Sequence, residues 1–462
     1  LREGFRKRLN DVRIGIALED GQWSPSLNWT RNDTLGDLIY NFSLSPYRRV
    51  QDSEITSLTR TVDLATGATT LLREGTFASR DTRAGLHATG RLQWRNEQGM
   101  SAMLQPLLIY SDGNNVNGGT QTDLIGDVND PPGFARSETQ SNNNFTLMRL
   151  NGQFNHRLGD NTRLEWRFGF GDGHFRNASL RQEYDASGAP SRTVDDRTDN
   201  RDRNATLSLK ASNTLDGGHA LVGGIELESS RRVEARTTLW NGVPQLTEFG
   251  DNLSATSRRF ALYAQDEWSV APQWSANAGL RLEGITTEGE GANDAVARNV
   301  SRVATSGNFA FQLLDLATAS TLAALGSPIV GNLTPGSLTR SYRSPNLNQL
   351  MGRPSLNNID PPPGANTELT PDTAGNPTLR PEVALGIDLA VERYLADGGV
   401  LSANLFRRSV SDLIRNVVAL ETVSWSPATP RYVSRPQNIG DAMTQGVELE
   451  AKFRLSDMVA EA

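Results

Sequence analysis

The stretch Asn376–Leu395 reads NPTLRPEVALGIDLAVERYL and joins an entry punctuated by prolines to a long alternating run. Pro377 and Pro381 exclude a helix or a central strand over the first part, because proline fixes φ and has no backbone N–H to donate. In the second part every other residue is apolar: Val383, Leu385, Ile387, Leu389 and Val391. Since side chains alternate between the two faces of a strand, this run predicts a strand with one apolar face and one small or polar face.

The same period of two recurs along most of the chain. Clear examples are Val12–Leu18, Leu86–Trp94, Leu164–Phe170, Trp274–Leu282 and Val447–Leu455. We count about 18–20 such runs, and many are longer than the roughly five or six residues of a globular strand. A strand that crosses a membrane needs about 9–11 residues. The pattern therefore predicts an all-β fold, an antiparallel transmembrane β-barrel, with a large soluble all-β protein as the alternative.

Composition narrows the class further. The chain has 462 residues, of which 37% are hydrophobic, and a mean hydropathy of −0.46. These values argue against a helical membrane protein but not against a membrane barrel, whose strands need only alternate apolar residues. The absence of cysteine excludes disulfides and thiol chemistry. A net charge of −7 without a basic block argues against nucleic acid as a partner.

Three motifs, in a fixed order, carry a family resemblance. The first comprises Arg343, Pro345 and Leu350; the second Asn376, Pro377, Leu379, Pro381 and Glu382; the third Asn438, Gly440, Gly446, Glu448 and Glu450. Each motif alone is weak, but together, in this order and spacing, they resemble the barrel portion of TonB-dependent outer-membrane receptors. The resemblance extends loosely over most of the chain.

The resemblance implies a 22-stranded barrel in the outer membrane of a Gram-negative bacterium, surrounded by lipid and closed around an N-terminal plug. It also implies active import of a small scarce ligand, with a plug segment that binds the TonB complex. A ferric siderophore is the commonest ligand of the family and is our expectation. No cofactor and no catalysis are expected. A passive porin-like channel is the alternative. An outer-membrane hydrolase is disfavoured, because the sequence contains no Ser/His constellation.

We expect the motif residues to be structural. The prolines would set strand entry, and Arg343 and Glu382 would pair or cap backbone groups at the rim of the barrel. Ligand selectivity in the family is not fixed by these motifs, so the ligand-binding residues are unknown. The only candidates for ligand contact are aromatic residues of the loops and rim: Phe134, Tyr184, Trp240 and Trp425. The four histidines are far apart, and we predict no metal site.

Turns and loops predict an asymmetric barrel. Short turns are expected at Asp20–Gly21, Gly159–Asn161, Ala271–Pro272 and Asp397–Gly399, and long loops at 111–140, 174–202, 236–256 and 351–381. Short turns on the periplasmic side and long loops outside are typical of outer-membrane barrels.

Two regions depart from the pattern. Segment 309–331 is apolar with little alternation, and we interpret it as an irregular or diverged hairpin. The two ends resemble neither a plug nor the terminal aromatic strand of the family. We therefore expect residues 1–462 to be one incomplete barrel domain, without the plug and the last strands, that does not close by itself.

Overall fold

The computed structural model describes residues 8–63, 65–126, 134–247, 252–271, 274–290, 298–314, 329–357, 362, 364–395 and 399–452. Within these residues the chain forms twenty strands and one short helix. The strands are β1 (Leu9–Glu19), β2 (Gln22–Leu35), β3 (Leu38–Val62), β4 (Thr69–Arg95), β5 (Ser101–Ile125), β6 (Arg136–Leu158), β7 (Thr162–Tyr184), β8 (Pro190–Leu215), β9 (His219–Trp240), β10 (Val243–Pro244), β11 (Asn252–Ala271), β12 (Trp274–Glu290), β13 (Arg298–Leu314), β14 (Ile329–Arg343), β15 (Asp372–Thr373), β16 (Glu382–Leu395), β17 (Val400–Ser411), β18 (Ile414–Val423), β19 (Ser426–Asn438) and β20 (Ala442–Lys452). The helix α1 spans Leu347–Met351. None of the described helices has the length and apolarity that crossing a membrane would require.

Most strands belong to one sheet in which each long strand pairs antiparallel with the next. The order runs from β1 to β9, continues through β11, β12, β13, β14, β16 and β17, and ends at β20, with β10 added beside β9. The hairpin β18–β19 and the short β15 form a second, three-stranded sheet. Among the described residues β1 pairs only with β2 and β20 only with β17, so the large sheet keeps two edges. The prediction of an all-β antiparallel fold is confirmed.

The large sheet has two chemically different faces. A continuous cross-strand row on one face contains Phe168, Leu207, Leu227 and Phe260, with 41–50% of each side chain exposed. We call this the outer face. The opposite, inner face of the same strands carries ion pairs, such as that between Arg259 and Glu228. An apolar face open to the surroundings and a polar interior are what a membrane barrel requires.

β16 confirms the prediction made from the opening stretch. Its alternating residues Leu385, Ile387, Leu389 and Val391 lie on one face with 45–52% of each side chain exposed. Burial against a protein core therefore does not explain their apolar character, whereas a lipid surface does.

The loop boundaries predicted from the sequence were partly wrong. Most of 111–140 is strand, because β5 extends to Ile125 and β6 begins at Arg136. In the same way only 185–189 separates β7 from β8, and only 241–251 separates β9 from β11, with β10 between them. The Asn- and Gly-rich runs continue as strands because each pairs with long neighbours on both sides, as Asn115 does with Asp81 and Ser141. The described residues of the stretch 351–381 are largely irregular, as predicted.

The connections define two ends of the sheet. The rim end bears the connections at 63–68, 185–189, 344–381 and 412–441; the turn end bears the short connections at 96–100, 159–161 and 216–218. By this alternation the turn at Asp20–Gly21 lies at the rim end, not with the other short turns as predicted. In the atypical segment 309–331, Phe309–Leu314 pairs antiparallel with Leu333–Leu338. Residues 315–328, like residue 272 and residues 396–398 of two predicted turns, lie outside the described part.

Candidate functional site

The 344–381 connection is fastened to the β18–β19 hairpin by a fully buried ion pair. The Arg431 guanidinium donates to both carboxylate oxygens of Asp372, with Nε–Oδ2 at 2.6 Å and Nη2–Oδ1 at 2.9 Å. The Trp425 indole N–H donates to Oδ2 of the same carboxylate at 2.8 Å. The two charges thus satisfy each other, which buried charges must do to be tolerated. We call the 344–381 connection and this hairpin the rim module.

The Asn376–Glu382 motif runs through the rim module and is held there by side-chain hydrogen bonds and apolar packing. Asn376 Nδ2 donates to the carbonyl of Pro436, and its Oδ1 accepts the backbone N–H of Thr378. Leu379 is 1% exposed and packs with Leu350 and Ile414 in a small core. These contacts hold the stretch before β16 in place although it does not belong to a hydrogen-bonded strand.

Arg343 and Glu382 stand opposite each other at the ends of β14 and β16. Their ion pair is bidentate, with Nη2–Oε1 and Nε–Oε2 both at 2.7 Å. Glu382 Oε1 also accepts the backbone N–H of Ile414 at 2.7 Å. One carboxylate therefore joins β14, β16 and the start of β18.

The third motif is divided by the structure. Asn438 belongs to the rim module, where its side chain accepts the N–H of Arg380 and donates to the carbonyls of Arg380 and Asp412. Gly440 follows with φ of 113°, which a side chain would oppose. Gly446, Glu448 and Glu450 lie instead along β20, away from this cluster. There Glu448 accepts from Asn404 at 3.3 Å and Glu450 pairs with Lys452 at 2.7 Å.

The proline residues mark the edges of these elements. Pro345 precedes the N-cap of α1, where Asn346 and Gln349 form a capping box, and Pro381 immediately precedes β16. Pro377 lies between them, next to Asn376. Their positions at element boundaries fit what proline permits.

Part of the rim module reaches across to the inner face of β9. Arg232 on β9 forms a bidentate ion pair with Asp202, with both N–O distances at 2.7 Å, and also donates to the side chain of Asn348 in α1. Arg353 donates to the backbone carbonyls of Arg236 and Leu246. β9 is separated from β14 by three strands of the sheet. The connection therefore folds inward over the inner face at the rim end, which we call the mouth, rather than away from it.

A second cluster lies on the inner face near the rim end, between β6 and β9. Glu183 is 1% exposed and accepts from Arg192, with Nε–Oε2 at 2.7 Å, and from Arg181, with Nη2–Oε1 at 2.9 Å. The Arg181 guanidinium lies 4.7 Å from the Phe134 ring and that of Arg192 5.5 Å from the Trp240 ring. We call these five residues the mouth cluster.

The mouth cluster joins two of the four aromatic candidates. Phe134 and Trp240 lie at its two ends, Tyr184 stacks nearby under Arg136 at 4.1 Å, and Trp425 is fixed in the rim module. No sequence signal pointed to Arg181, Glu183 and Arg192, because such polar residues are ordinary in a loop or strand. Only the pairing of neighbouring strands brings them together.

Further down, the inner face carries a connected set of charges. Glu283 is 4% exposed and accepts from both Arg259 at 2.9 Å and Arg281 at 2.8 Å. Arg259 also pairs with Glu228 and Arg281 with Glu226. The wall below the mouth is therefore polar, with three carboxylates paired to two guanidinium groups in this set. In the part of the chain that the structure describes, no group of His, Asp and Glu has the arrangement of a metal site.

Comparisons with known proteins agree with this architecture. The family model described as TonB dependent receptor-like, beta-barrel, matches residues 93–460. Among the curated proteins, none matches this chain by sequence. Similar solved structures include the RagAB peptide importer (TM-score 0.51, 13% identity, 92% of this chain and 48% of that one) and the copper transporter OprC (0.51, 14%, 98% and 61%). The siderophore receptor PirA from Pseudomonas aeruginosa is also similar (0.50, 13%, 97% and 64%). The chain thus spans between about half and two thirds of the lengths of these structures.

Proposed function

Because this chain belongs to the TonB-dependent receptor family, we propose that it forms the barrel wall of an outer-membrane receptor that imports a scarce ligand. The observation that carries the proposal is the two-faced sheet. Its outer face is apolar and exposed, and its inner face is ionic, with the rim module folded inward over the mouth. An inward-folded rim over a polar interior suits capture at the mouth followed by passage along the wall.

We infer that the ligand is a ferric siderophore, drawn in when the TonB complex acts on a plug inside the barrel. The likeness to PirA supports this choice, although the copper and peptide importers share the same fold. The mouth cluster is the surface that we assign to first contact. Arginine guanidinium groups beside aromatic rings attract anionic, ring-bearing ligands. The reaction is binding and transport, without a chemical step.

The test is uptake by cells that express the full-length protein in place of their own receptors. We expect import of one ferric siderophore from a panel, and its loss when TonB is deleted or the inner membrane is de-energised. Uptake that persists in the TonB-deficient strain and rises in proportion to concentration would instead establish a passive, porin-like channel.

A variant pair tests the mouth cluster. Trp240→Ala should weaken ligand binding to whole cells several-fold, because it removes the ring that covers Arg192. Trp23→Ala, which removes an exposed tryptophan from β2, serves as the matched control and should leave binding unchanged. Equal binding by both variants would remove the mouth cluster from the proposal without affecting the transport assay.

A further inference from the structure

A shallow groove of about 450 Å³ lies on the outer face, across β8, β9, β11 and β12. Its lining includes Ala205, Leu207, Leu227, Ser229, Arg258 and Phe260. Small side chains at 205 and 229 form the depression, and the larger apolar side chains stand on its turn-end side. The groove is therefore apolar on its turn-end side, and Arg258 in its lining supplies a cation.

Cross-strand register explains this arrangement. Ala205 pairs with Ser229, and Ser229 with Arg258, so these three residues form one row. The row on the turn-end side is Leu207, Leu227 and Phe260, each opposite the next. The row on the rim-end side begins at Asp172, which is followed by Arg203 and Arg231. The outer face thus changes from apolar to cationic within two rows.

Three arginines converge at this boundary. Arg203 and Arg231 are directly opposite each other, and Arg258 is the diagonal neighbour of Arg231. Directly opposed like charges destabilise a sheet, and diagonal neighbours are within reach of long side chains. Asp172 accepts from Arg203 at 3.3 Å, together with Arg201 at 2.7 Å. Within the described residues Arg231 and Arg258 have no carboxylate in ion-pair contact, and both side chains are exposed.

We propose that this groove binds an acyl lipid of the surrounding membrane whose phosphate headgroup carries a net negative charge. The phosphate lies between Arg231 and Arg258 and neutralises their repulsion, since guanidinium groups bind phosphate through paired hydrogen bonds. One acyl chain lies in the depression over Ala205 and Ser229, against Leu227 and Phe260. The inference rests on the proposed membrane location of the barrel and adds a specific lipid site to it.

The experiment measures lipid retention by native mass spectrometry of the full-length protein released from detergent. The probes are phosphatidylglycerol, whose headgroup has a net negative charge, and phosphatidylcholine, whose phosphate charge is cancelled by its own choline cation. We expect preferential retention of phosphatidylglycerol, reduced several-fold in the double variant Arg231→Gln/Arg258→Gln. The matched control, Arg48→Gln/Arg60→Gln, also removes two exposed arginines from the barrel but away from the groove, and should retain the lipid fully.

A second variant separates the acyl site from the charge. Ser229→Phe keeps both arginines but fills the depression, so retention of phosphatidylglycerol should also fall. Addition of inorganic phosphate should not displace the lipid, because inorganic phosphate has no acyl chain to fill the depression. Equal retention of the two lipids, or equal losses in the double variant and its control, would overturn the proposal.

Failure of this proposal is distinguishable from failure of the proposed function. Heat-modifiable migration and insertion into phosphatidylcholine vesicles test the membrane barrel itself. A protein that inserts and shows no preference between the lipids contradicts only the lipid site. A protein that does not insert contradicts the membrane location and, with it, both proposals.

Discussion

Arg431 and Asp372 are 59 residues apart in sequence and form an ion pair in which neither side chain is exposed. Asp372 also accepts the backbone N–H of Asn357 at 2.8 Å. This single carboxylate therefore links the irregular connection to both the hairpin tryptophan and the hairpin arginine. We therefore expect the rim module to behave as one cooperative unit rather than as two independent loops.

Removal of Asp372 should loosen that unit. Asp372→Ala leaves the Arg431 charge buried and unpaired, a change that typically costs about 3–5 kcal/mol. We expect faster amide hydrogen exchange across β15, β18 and β19, with the ladders of β3 to β9 unchanged. Arg380→Ala, which breaks a pair whose arginine is 70% exposed, is the control and should have an effect within about 1 kcal/mol. Equal exchange rates in β15, β18 and β19 of the wild type and of D372A would contradict the cooperative unit.

Glu382 should act mainly through one backbone contact. Its carboxylate accepts the Ile414 N–H, and hydrogen bonds to charged groups contribute about 1.5–3 kcal/mol. Glu382→Ala should therefore speed exchange of the Ile414 amide about tenfold or more, since about 1.4 kcal/mol corresponds to a factor of ten. Glu382→Gln retains an acceptor and should give a smaller effect. Glu450→Ala on β20 should leave that amide unaffected.

The turn between β7 and β8 should loosen in acid. The Ser187 hydroxyl donates to Asp185 at 2.6 Å and, with the backbone N–H groups of Ser187 and Ala189, lowers the pKa of the Asp185 carboxyl. A carboxyl whose pKa is lower in the folded state stabilises it above the unfolded pKa of about 3.9. That contribution is lost as the pH falls through the lowered value.

Carbon-13 titration of the Asp185 carboxyl checks this prediction. We expect a midpoint below about 3.9, and an upward move in Ser187→Ala, because the leading hydrogen bond is removed. Ser191→Ala changes a nearby serine that does not contact this carboxyl and should not move the midpoint. A midpoint at the ordinary value in the wild type would refute the assignment.

Gly152 should not tolerate a side chain. A Cβ at this position would collide with the ring of Phe168, which crosses over the glycine from the next strand. Gly152→Val should destabilise the barrel by about 1–3 kcal/mol, as overpacking usually does. The measurement is the urea midpoint of the heat-modifiable form. Gly173→Ala is the control, because the nearest atom to its Cβ would be Leu147 Cδ1 at 3.7 Å.

A compensating change tests the mechanism of that effect. Phe168→Ala combined with Gly152→Val should recover part of the lost stability, since the ring that collides is absent. A double variant that is less stable than either single variant would place the cost elsewhere in the sheet.

The sequence predicted the strands best where one face meets an apolar surrounding. In β16, Leu385, Ile387 and Leu389 had to share a face, and period two followed directly. In β5, by contrast, the run of Asn114, Asn115 and Asn117 favours turns by local propensity, yet pairing with two long neighbours keeps it extended. Strand pairing therefore outweighs the local preference for turns in β5, and the loops predicted from the sequence were too long.

The clusters at the rim could not be predicted from local pattern for a different reason. Arg343 and Glu382 were singled out by motif, but nothing near Asp372 in the sequence indicates that its partner lies in a hairpin beyond β17. The mouth cluster depends on the shared register of β6, β7, β8 and β9. Such pairings are set by the whole sheet and not by any segment of it.

The length of β4 has a consequence for how molecules outside the cell would meet the proposed receptor. Its 27 residues extend about 90 Å at about 3.3 Å per residue, whereas a bilayer crossing uses about 9–11 residues. In the proposed outer-membrane barrel, more than half of this strand therefore projects beyond the hydrocarbon layer. Solutes, antibodies and bacteriophages approaching such a cell would meet the rim end of the sheet several tens of ångströms before they reach the lipid.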